Sequence, residues 1–334
     1  SCDSHKTYID VTVSLSLSDF WQIPLHKKIA EKDLAIESLA TLTMILDIIE
    51  FTKKAYYQCL YQEEQYETIV AILEHTKKLQ TLIKDKNTKN NYLNGYTNDF
   101  ITTQYTLIES QLLEQKQKLD NAYLNLRSTI YTHISHEPIK LTTPLNNIIK
   151  KLDNLDELID YAKNNAPETH IARLTIQKAR NQQSLEKRKI LNNVSCGLSY
   201  SRDTDGSFLI GPQISMDLPI FNNNQAEIIH AKWLEKEAEN NLNTIELELE
   251  AKIKELYYTI NSLNTIISHY EATIAPHIKK IIEHNTNIKD TELDPISLIQ
   301  SQMFLYEQKK IYHQKKLTLA ENIINLEKLI AKNI

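Results

Sequence analysis

Glycine is nearly absent, with four in 334 residues, and proline is sparse, with eight. A chain with so few turn-formers cannot be built from many short elements, and the composition predicts a handful of long ones. There are three cysteines, at positions 2, 59 and 196. An odd count at wide spacing excludes a disulfide framework. No apolar run reaches the length of a transmembrane helix. That leaves a membrane β-barrel open, because barrel strands are short and apolar on alternate positions only. A long basic block is also missing, and the formal net charge of −5 argues against a nucleic-acid partner. The first ten residues, SCDSHKTYID, contain no signal peptide, and a secreted precursor would already have lost one. Cys2 behind Ser1 has two readings: the remnant of a lipoprotein cleavage site, hence a lipid anchor, or a plain free cysteine.

Catalytic signatures are missing too. The chain has no phosphate-binding glycine loop, no Gly-x-Ser-x-Gly elbow and no Cys–His constellation. No catalytic residue, cofactor or metal site is expected. His133 and His136 have a spacing a metal could use, but they stand before Pro138 with no third ligand beside them. His277 and His284 share a helix face and again lack partners. Cys59 and Cys196 sit inside periodic elements, where cysteine acts as a small packing residue.

What is present is a switch of period. In GPQISMDLPIFNNNQA, Gly211 to Ala226, the residues Ile210, Pro212, Ile214, Met216 and Leu218 alternate with Gly211, Gln213, Ser215 and Asp217. That is a strand with one apolar face. Pro219 ends the pairing for want of an N–H. Phe221 and Asn222–Asn224 form a corner, and from Gln225 the period becomes helical for roughly sixty residues. The N-terminus repeats the order. Ile9, Val11, Val13, Leu15 and Leu17 alternate with Asp10, Thr12, Ser14, Ser16 and Ser18, and Asp19–Phe20 leads into a helix from about Ile23 to Asn87. A slide of 201 residues superposes Ser14 on Ser215, Leu17 on Leu218, Phe20 on Phe221, Ala30 on Ala231 and Tyr56–Tyr57 on Tyr257–Tyr258. This order points to an internal duplication.

The first long helix carries a seam of Leu39, Leu42, Leu46, Ile49, Tyr56 and Leu60, continued by Ile69, Leu73, Thr76, Leu79 and Ile83, in steps of three and four. At 1.5 Å per residue it spans on the order of 95 Å, the scale of a coiled coil, stalk or conduit. A polar turn around Gly95 returns a helix from about Phe100 to Ile130, with Leu107, Leu112, Leu119, Tyr123 and Leu126 as its apolar positions. After a linker with Pro138, Thr143–Pro144 opens an amphipathic helix through Leu145, Ile148, Ile149, Leu152, Leu155, Leu158 and Ile159. Ala166–Pro167 starts another, to about Asn192. Val194 to Ser201 alternates again, the RDTDGS turn follows, and Phe208 to Leu218 returns antiparallel. The last helical pair keeps steps of three and four from Leu242 to Ile274. A kink or local unwinding is expected at Pro276, since proline removes one helix bond. Asp294–Pro295 restarts a helix with Ile299, Met303, Tyr306, Leu317, Ala320 and Ile324 in its seam.

This pattern resembles the TolC-like outer-membrane efflux channel family over nearly the whole chain. GPQISMDLPIF with its Asn-rich corner, Ala226 and Ala231 resembles the family's strand ending in Pro-x-Phe before a long helix. Tyr56–Tyr57 and Tyr257–Tyr258 resemble its paired aromatics. Leu93–Gln104 and Glu292–Gln302 resemble its two hairpin tips, and Ala166–Pro167–Glu168 resembles an Arg-Pro-Glu-like helix start. The resemblance implies a mainly α fold with a small antiparallel β part: long coiled-coil helical hairpins joined to transmembrane β-barrel strands. It implies a homotrimer with a shared twelve-stranded barrel in outer-membrane lipid and a helical tunnel in the periplasm. It also implies docking to a periplasmic adaptor protein and an inner-membrane pump. The segments are then 1–19, first barrel strand; 20–130, first hairpin; 131–192, linker and equatorial helices; 193–219, strand hairpin; and 220–334, second hairpin. The family's pattern would place one more helix and strand before Thr7, and Thr291 stands where the second tip usually has Gly.

Under that resemblance, Asp290, Glu292 and Asp294 at the second tip are candidates for a gate. Three-fold symmetry would turn them into a carboxylate ring that favours cations; the plain alternative is a cap and solvated turn residues. Gly95, Tyr96, Thr97 and Asn98 at the first tip are adaptor-docking candidates, against a turn-only role. The competing architecture is a soluble elongated coiled-coil scaffold with a small sheet at one end. The two differ in what covers the strands' apolar faces: lipid in a channel, protein core in a scaffold.

Overall fold

The computed structural model describes residues 9–90, 95–130, 139–142, 152–191, 194–202, 207–216, 223–278, 280 and 295–332. The element order is β1 (Ile9–Ser16), α1 (Ser18–Asn90), α2 (Gly95–Ile130), α3 (Leu155–Asn165), α4 (Pro167–Arg188), β2 (Ser195–Arg202), β3 (Phe208–Ser215), α5 (Gln225–His269) and α6 (Pro295–Ile330). By contact density the chain divides into two units, Ser1–Thr43 with Lys163–Leu249 and Met44–Ala162 with Glu250–Ile334.

The first unit holds the sheet. The strands lie in the order β1-β2-β3, antiparallel throughout. Leu15 opposes Cys196, which opposes Ile214; Val13, Leu198 and Pro212 form the next row, and Val11, Tyr200 and Ile210 the one after. This places the alternating apolar residues of three strands on one face, as period-two pairing requires. Three strands are the number the alternation predicts. On the opposite face Gly197 lies where a side chain has no room: a Cβ there would fall 2.3 Å from the Val13 carbonyl oxygen. Gln213 reaches over this gap to Thr12 Oγ1 at 3.4 Å. At Gly211 a Cβ would meet nothing within 4 Å.

The helix starts differ from the sequence reading in instructive ways. α1 begins at Ser18, directly off β1, and not near Ile23; Phe20 N–H donates to the Leu17 carbonyl at 3.2 Å and the Ser16 and Ser18 hydroxyls bond at 2.6 Å. Pro24 is therefore inside the helix. α2 begins at Gly95, earlier than the apolar pattern indicates. α3 begins at Leu155. Asn154 caps it, its carbonyl accepting from Leu158 N–H at 3.1 Å, and Asp156 and Glu157 in the first turn suit the helix dipole. Residues 152–154 are non-helical, so Leu152 precedes the helix, and 143–151 lie outside the described residues. Ala166–Pro167 opens α4 as expected, with Thr169 Oγ1 donating to the Ala166 carbonyl at 2.8 Å.

The second unit is a set of coiled-coil seams. Of the expected seam positions, Ile253, Ile260, Leu263 and Ile267 in α5 and Ile299, Tyr306, Leu317, Ala320 and Ile324 in α6 are buried, while Leu256, Tyr270, Ile274 and Met303 are half-buried. In α2 the buried positions are Ile101, Ile108, Gln115 and Ala122, a strict step of seven, with Leu126 beside them. Leu107, a seam position by its spacing, is exposed. Before Pro276 the local unwinding takes the form of a π-helical turn, Tyr270–Ile274, in which Ala275 N–H reaches back five residues to the Tyr270 carbonyl. Proline has no N–H and its ring crowds the carbonyl four residues earlier. A widened turn just before it relieves both.

The two glycines on the sheet separate by experiment. Gly197→Ala should destabilise by about 1–3 kcal/mol, because the backbone of β1 must move, and Gly211→Ala should be nearly neutral. Equal losses for both in chemical denaturation would contradict the register.

Candidate functional site

The sheet has two chemically different faces. One carries Val11, Val13, Leu15, Cys196, Leu198, Tyr200, Ile210, Pro212 and Ile214; the other carries Asp10, Thr12, Ser14, Ser16, Ser195, Ser199, Ser201, Gln213 and Ser215, with Leu209 the apolar exception. A soluble sheet would lay the first face on a core. Here Val13 is 71%, Leu15 72% and Ile214 76% exposed. The apolar face is not a core face of this chain. The outer edges of β1 and β3 are also without a neighbouring strand among the described residues. Unpaired edges and a bare apolar face both call for a covering that no described residue supplies.

Where the sheet passes into α5, one buried carboxylate holds the corner. Asn224 has φ 53°, in the left-handed region that asparagine tolerates better than most residues. Its Nδ2 donates to the Glu186 carbonyl at 2.9 Å and to Glu186 Oε2 at 3.2 Å. Lys189 Nζ reaches Glu186 Oε1 at 2.7 Å and Gln182 Nε2 donates to it at 3.0 Å. Burial pushes the Glu186 carboxyl up, but the hydrogen bonds from Lys189, Asn224 and Gln182 and the lysine charge outweigh it and hold it below its ordinary value. The asparagine run shows in the sequence. Its clamp on α4 does not, because the two lie 38 residues apart.

In the second unit polar groups interrupt the seams. Gln115 Nε2 donates to Gln62 Oε1 at 2.5 Å between α1 and α2, and Gln115 is only 7% exposed. Tyr123 O–H donates to Glu63, and His313 of α6 contacts Glu64 of α1. At the π-turn, Tyr270 stacks on Tyr312 with centroids 4.4 Å apart, and Tyr312 O–H donates to Glu271. Lys316 Nζ lies 3.3 Å from Glu271 and 4.3 Å from the Tyr312 ring centre. The Tyr312 bond and the lysine lower the Glu271 carboxyl against the opposing effect of burial. At the far end of α6, Lys328 bridges Asp47 at 2.6 Å and Glu50 at 2.7 Å, and Lys53 meets Glu327 at 2.6 Å. A seam pattern selects apolar residues and so passes over these ties. Cys59 is buried among Ala55, Ala122 and Leu126, and burial with the Glu63 charge pushes its thiol up to about 12, far from nucleophilic.

The gate candidates Asp290, Glu292 and Asp294, the anchor candidate Cys2 and the pair His133 and His136 lie outside the described residues, as does His284. Gly95, Tyr96, Thr97 and Asn98 form the first turn of α2, where the Asn98 carbonyl accepts from Thr102 Oγ1 at 2.8 Å. Among the described residues, no group of three or more His, Cys, Asp or Glu side chains is arranged to hold a metal. No helix among them is long and apolar enough to cross a membrane.

The class these elements define is one of long coiled-coil hairpins fed directly by an antiparallel sheet with a bare apolar face. The sequence matches no family model and no curated protein. Solved structures do match. CusC, from a study of folding and transmembrane channel formation, aligns at TM-score 0.79 and 12% identity, over 97% of this chain and 77% of that one. The outer membrane protein VceC of Vibrio cholerae aligns at 0.73 and 15%, over 98% and 79%. The open-state MtrE outer membrane channel of Neisseria gonorrhoeae aligns at 0.75 and 14%, over 98% and 80%. The fold is that of the TolC-like outer-membrane channels.

The Glu186 corner gives a pH prediction. Its carboxyl is lowered on folding from an unfolded value near 4.5, so its contribution is fully present above that value and is lost as the pH falls through the folded one. Proteolysis near Asn224 should therefore accelerate in the native protein as the pH falls below that ordinary value. In Glu186→Gln it should already be fast at neutral pH, with little acid dependence. Identical pH profiles for the two would remove Glu186 from the corner.

Proposed function

We propose that this chain is the outer-membrane channel component of a tripartite efflux or secretion system, a passive conduit from periplasm to exterior. The observation that carries this reading is the exposed apolar face of the sheet, whose first strand runs directly into a long helix. Lipid is the covering that suits it, because alternate apolar positions meet hydrocarbon while hydroxyl-bearing positions line water. The open edges of β1 and β3 call for strands from other copies of the chain, which favours a homotrimer with a shared barrel. Leu42 and Ile49, expected in the α1 seam, are 41% and 44% exposed, and Leu34, Met44, Phe51, Trp233 and Leu247 are exposed too. Such stripes suit burial between rods of neighbouring copies.

In this role the chain needs no catalytic residue or cofactor. Energy comes from an inner-membrane pump reached through a periplasmic adaptor. Gly95, Tyr96, Thr97 and Asn98 are the proposed adaptor-docking tip. Asp290, Glu292 and Asp294 are the proposed gate carboxylates, and Cys2 the proposed lipid anchor.

Two experiments test this. Protein extracted from membranes should require detergent and measure as a trimer, and Leu15→Arg should abolish assembly, since a cation on a lipid face is costly. A native chain that is soluble without detergent would overturn the channel reading and favour a soluble scaffold, whereas a Leu15→Arg variant that still assembles in the outer membrane would overturn the lipid-facing assignment of the sheet. For the gate, Asp290→Asn combined with Glu292→Gln and Asp294→Asn should lower cation over anion permeability in planar bilayers; an unchanged reversal potential would exclude the carboxylate ring.

A further inference from the structure

The apolar face of the sheet is not uniform along its length. From the helix end outward, its successive rows are Leu15–Cys196–Ile214, Val13–Leu198–Pro212 and Val11–Tyr200–Ile210. None contains a charge. The next row, at the end away from the helices, is Ile9–Arg202–Phe208. Arg202 is exposed, and Phe208 beside it is exposed as well. It is the one charged side chain on this face among the described residues.

A guanidinium next to a phenylalanine is misplaced on a face wholly immersed in hydrocarbon. An arginine on a barrel's lipid side costs roughly 2–4 kcal/mol at the midplane and about 0–1 near the interface. Arg202 therefore belongs at the water boundary. Tyr200, one row inward, has an apolar ring and a polar tip suited to the same depth. Eight residues of strand at about 3.3 Å each, tilted near 40°, project to roughly 20 Å. That is about 5 Å less than the roughly 25 Å apolar band of such barrels, a gap the aliphatic stem of Arg202 can span by extending its guanidinium outward to the headgroups. On the opposite face of this strand end stand Asp10, Ser201 and Leu209, so the nearest described carboxylate points away from Arg202. Asp203 and Asp205 follow in the turn, outside the described residues.

We propose that Arg202, seated beside Phe208 and Tyr200, is a headgroup anchor that takes the phosphate of an anionic lipid. The inference rests on the channel reading above. A planar five-donor fork matches a phosphate in bidentate fashion, which an ammonium cannot reproduce. Hydrocarbon covers the uncharged rows, and the anionic headgroup meets the cation at their margin.

The test uses the membrane-extracted, detergent-held oligomer. It is titrated with short-chain phosphatidylglycerol, with phosphatidylcholine of the same chain length and with inorganic phosphate, and followed by thermal unfolding. The native protein should reach half-maximal stabilisation at roughly five-fold lower phosphatidylglycerol than phosphatidylcholine, the size expected for one cation at an anionic surface. Arg202→Gln should lose that preference, Arg202→Lys should keep part of it, and both should still insert. Leu198→Arg, two rows inward, should fail to insert. An equal response to the two lipids, a preference that survives Arg202→Gln, or stabilisation by inorganic phosphate as strong as by the lipid would each overturn the anchor while leaving the channel intact. A native chain that enters no membrane at all overturns the channel reading, and the anchor with it.

Discussion

Backbone pairing across three strands places nearly every apolar residue of two edge strands and a centre strand on one side, and no described element of the chain lies over that side. This constraint organises the first unit. Among the described residues the sheet is bare on one face and open at both edges, and both features expose groups that folding normally satisfies. The close approach at Gly197 keeps β1 and β2 in the register that creates the face. A one-residue slip would send the apolar set to the hydroxyl side.

The first strand reaches its helix with almost no loop. β1 passes into α1 within two residues, and the β3 side turns through Asn224 into α5. Such joints transmit the strand's direction to the rod only if the corner is stiff. At Asn224 the stiffness comes from the Glu186 carboxylate, buried but answered by three hydrogen-bonding partners. A buried charge is tolerable when its lone pairs are met, and removing a partner leaves the desolvation cost standing.

The second unit follows a different logic. Its seams are apolar at heptad spacing, yet Gln62 and Gln115 pair inside one of them, and the Tyr270–Tyr312–Glu271–Lys316 group crosses from the π-turn to α6. Apolar seams permit sliding by whole heptads. A buried polar pair permits one register only, because any shift leaves amide groups unsatisfied. The Pro276 region shows the same economy of backbone groups: the carbonyl that proline cannot serve is displaced by a wider turn.

Much of this is legible in the chain itself. Period-two alternation marks three strands and their apolar faces, steps of three and four mark the long helices, and Pro167 and Pro295 mark helix starts. These are local signals, carried by the fixed periods of strand and helix. In α2 the pattern finds Leu112, Tyr123 and Leu126 at the packed seam but takes Leu107 for Ile108, because leucine is frequent on both sides of that helix and only packing chooses. Leu42 and Ile49 look like core positions because the pattern reports apolarity, not what covers it. Asn224–Glu186, Gln62–Gln115 and Glu271–Tyr312 join residues 38, 53 and 41 positions apart, and no periodicity links them. The sequence by itself determined which elements form and which faces are apolar, since both follow from residue order. Only the tertiary structure decided which of those faces the chain covers and which polar groups lock its registers, because burial and pairing depend on neighbours distant in sequence.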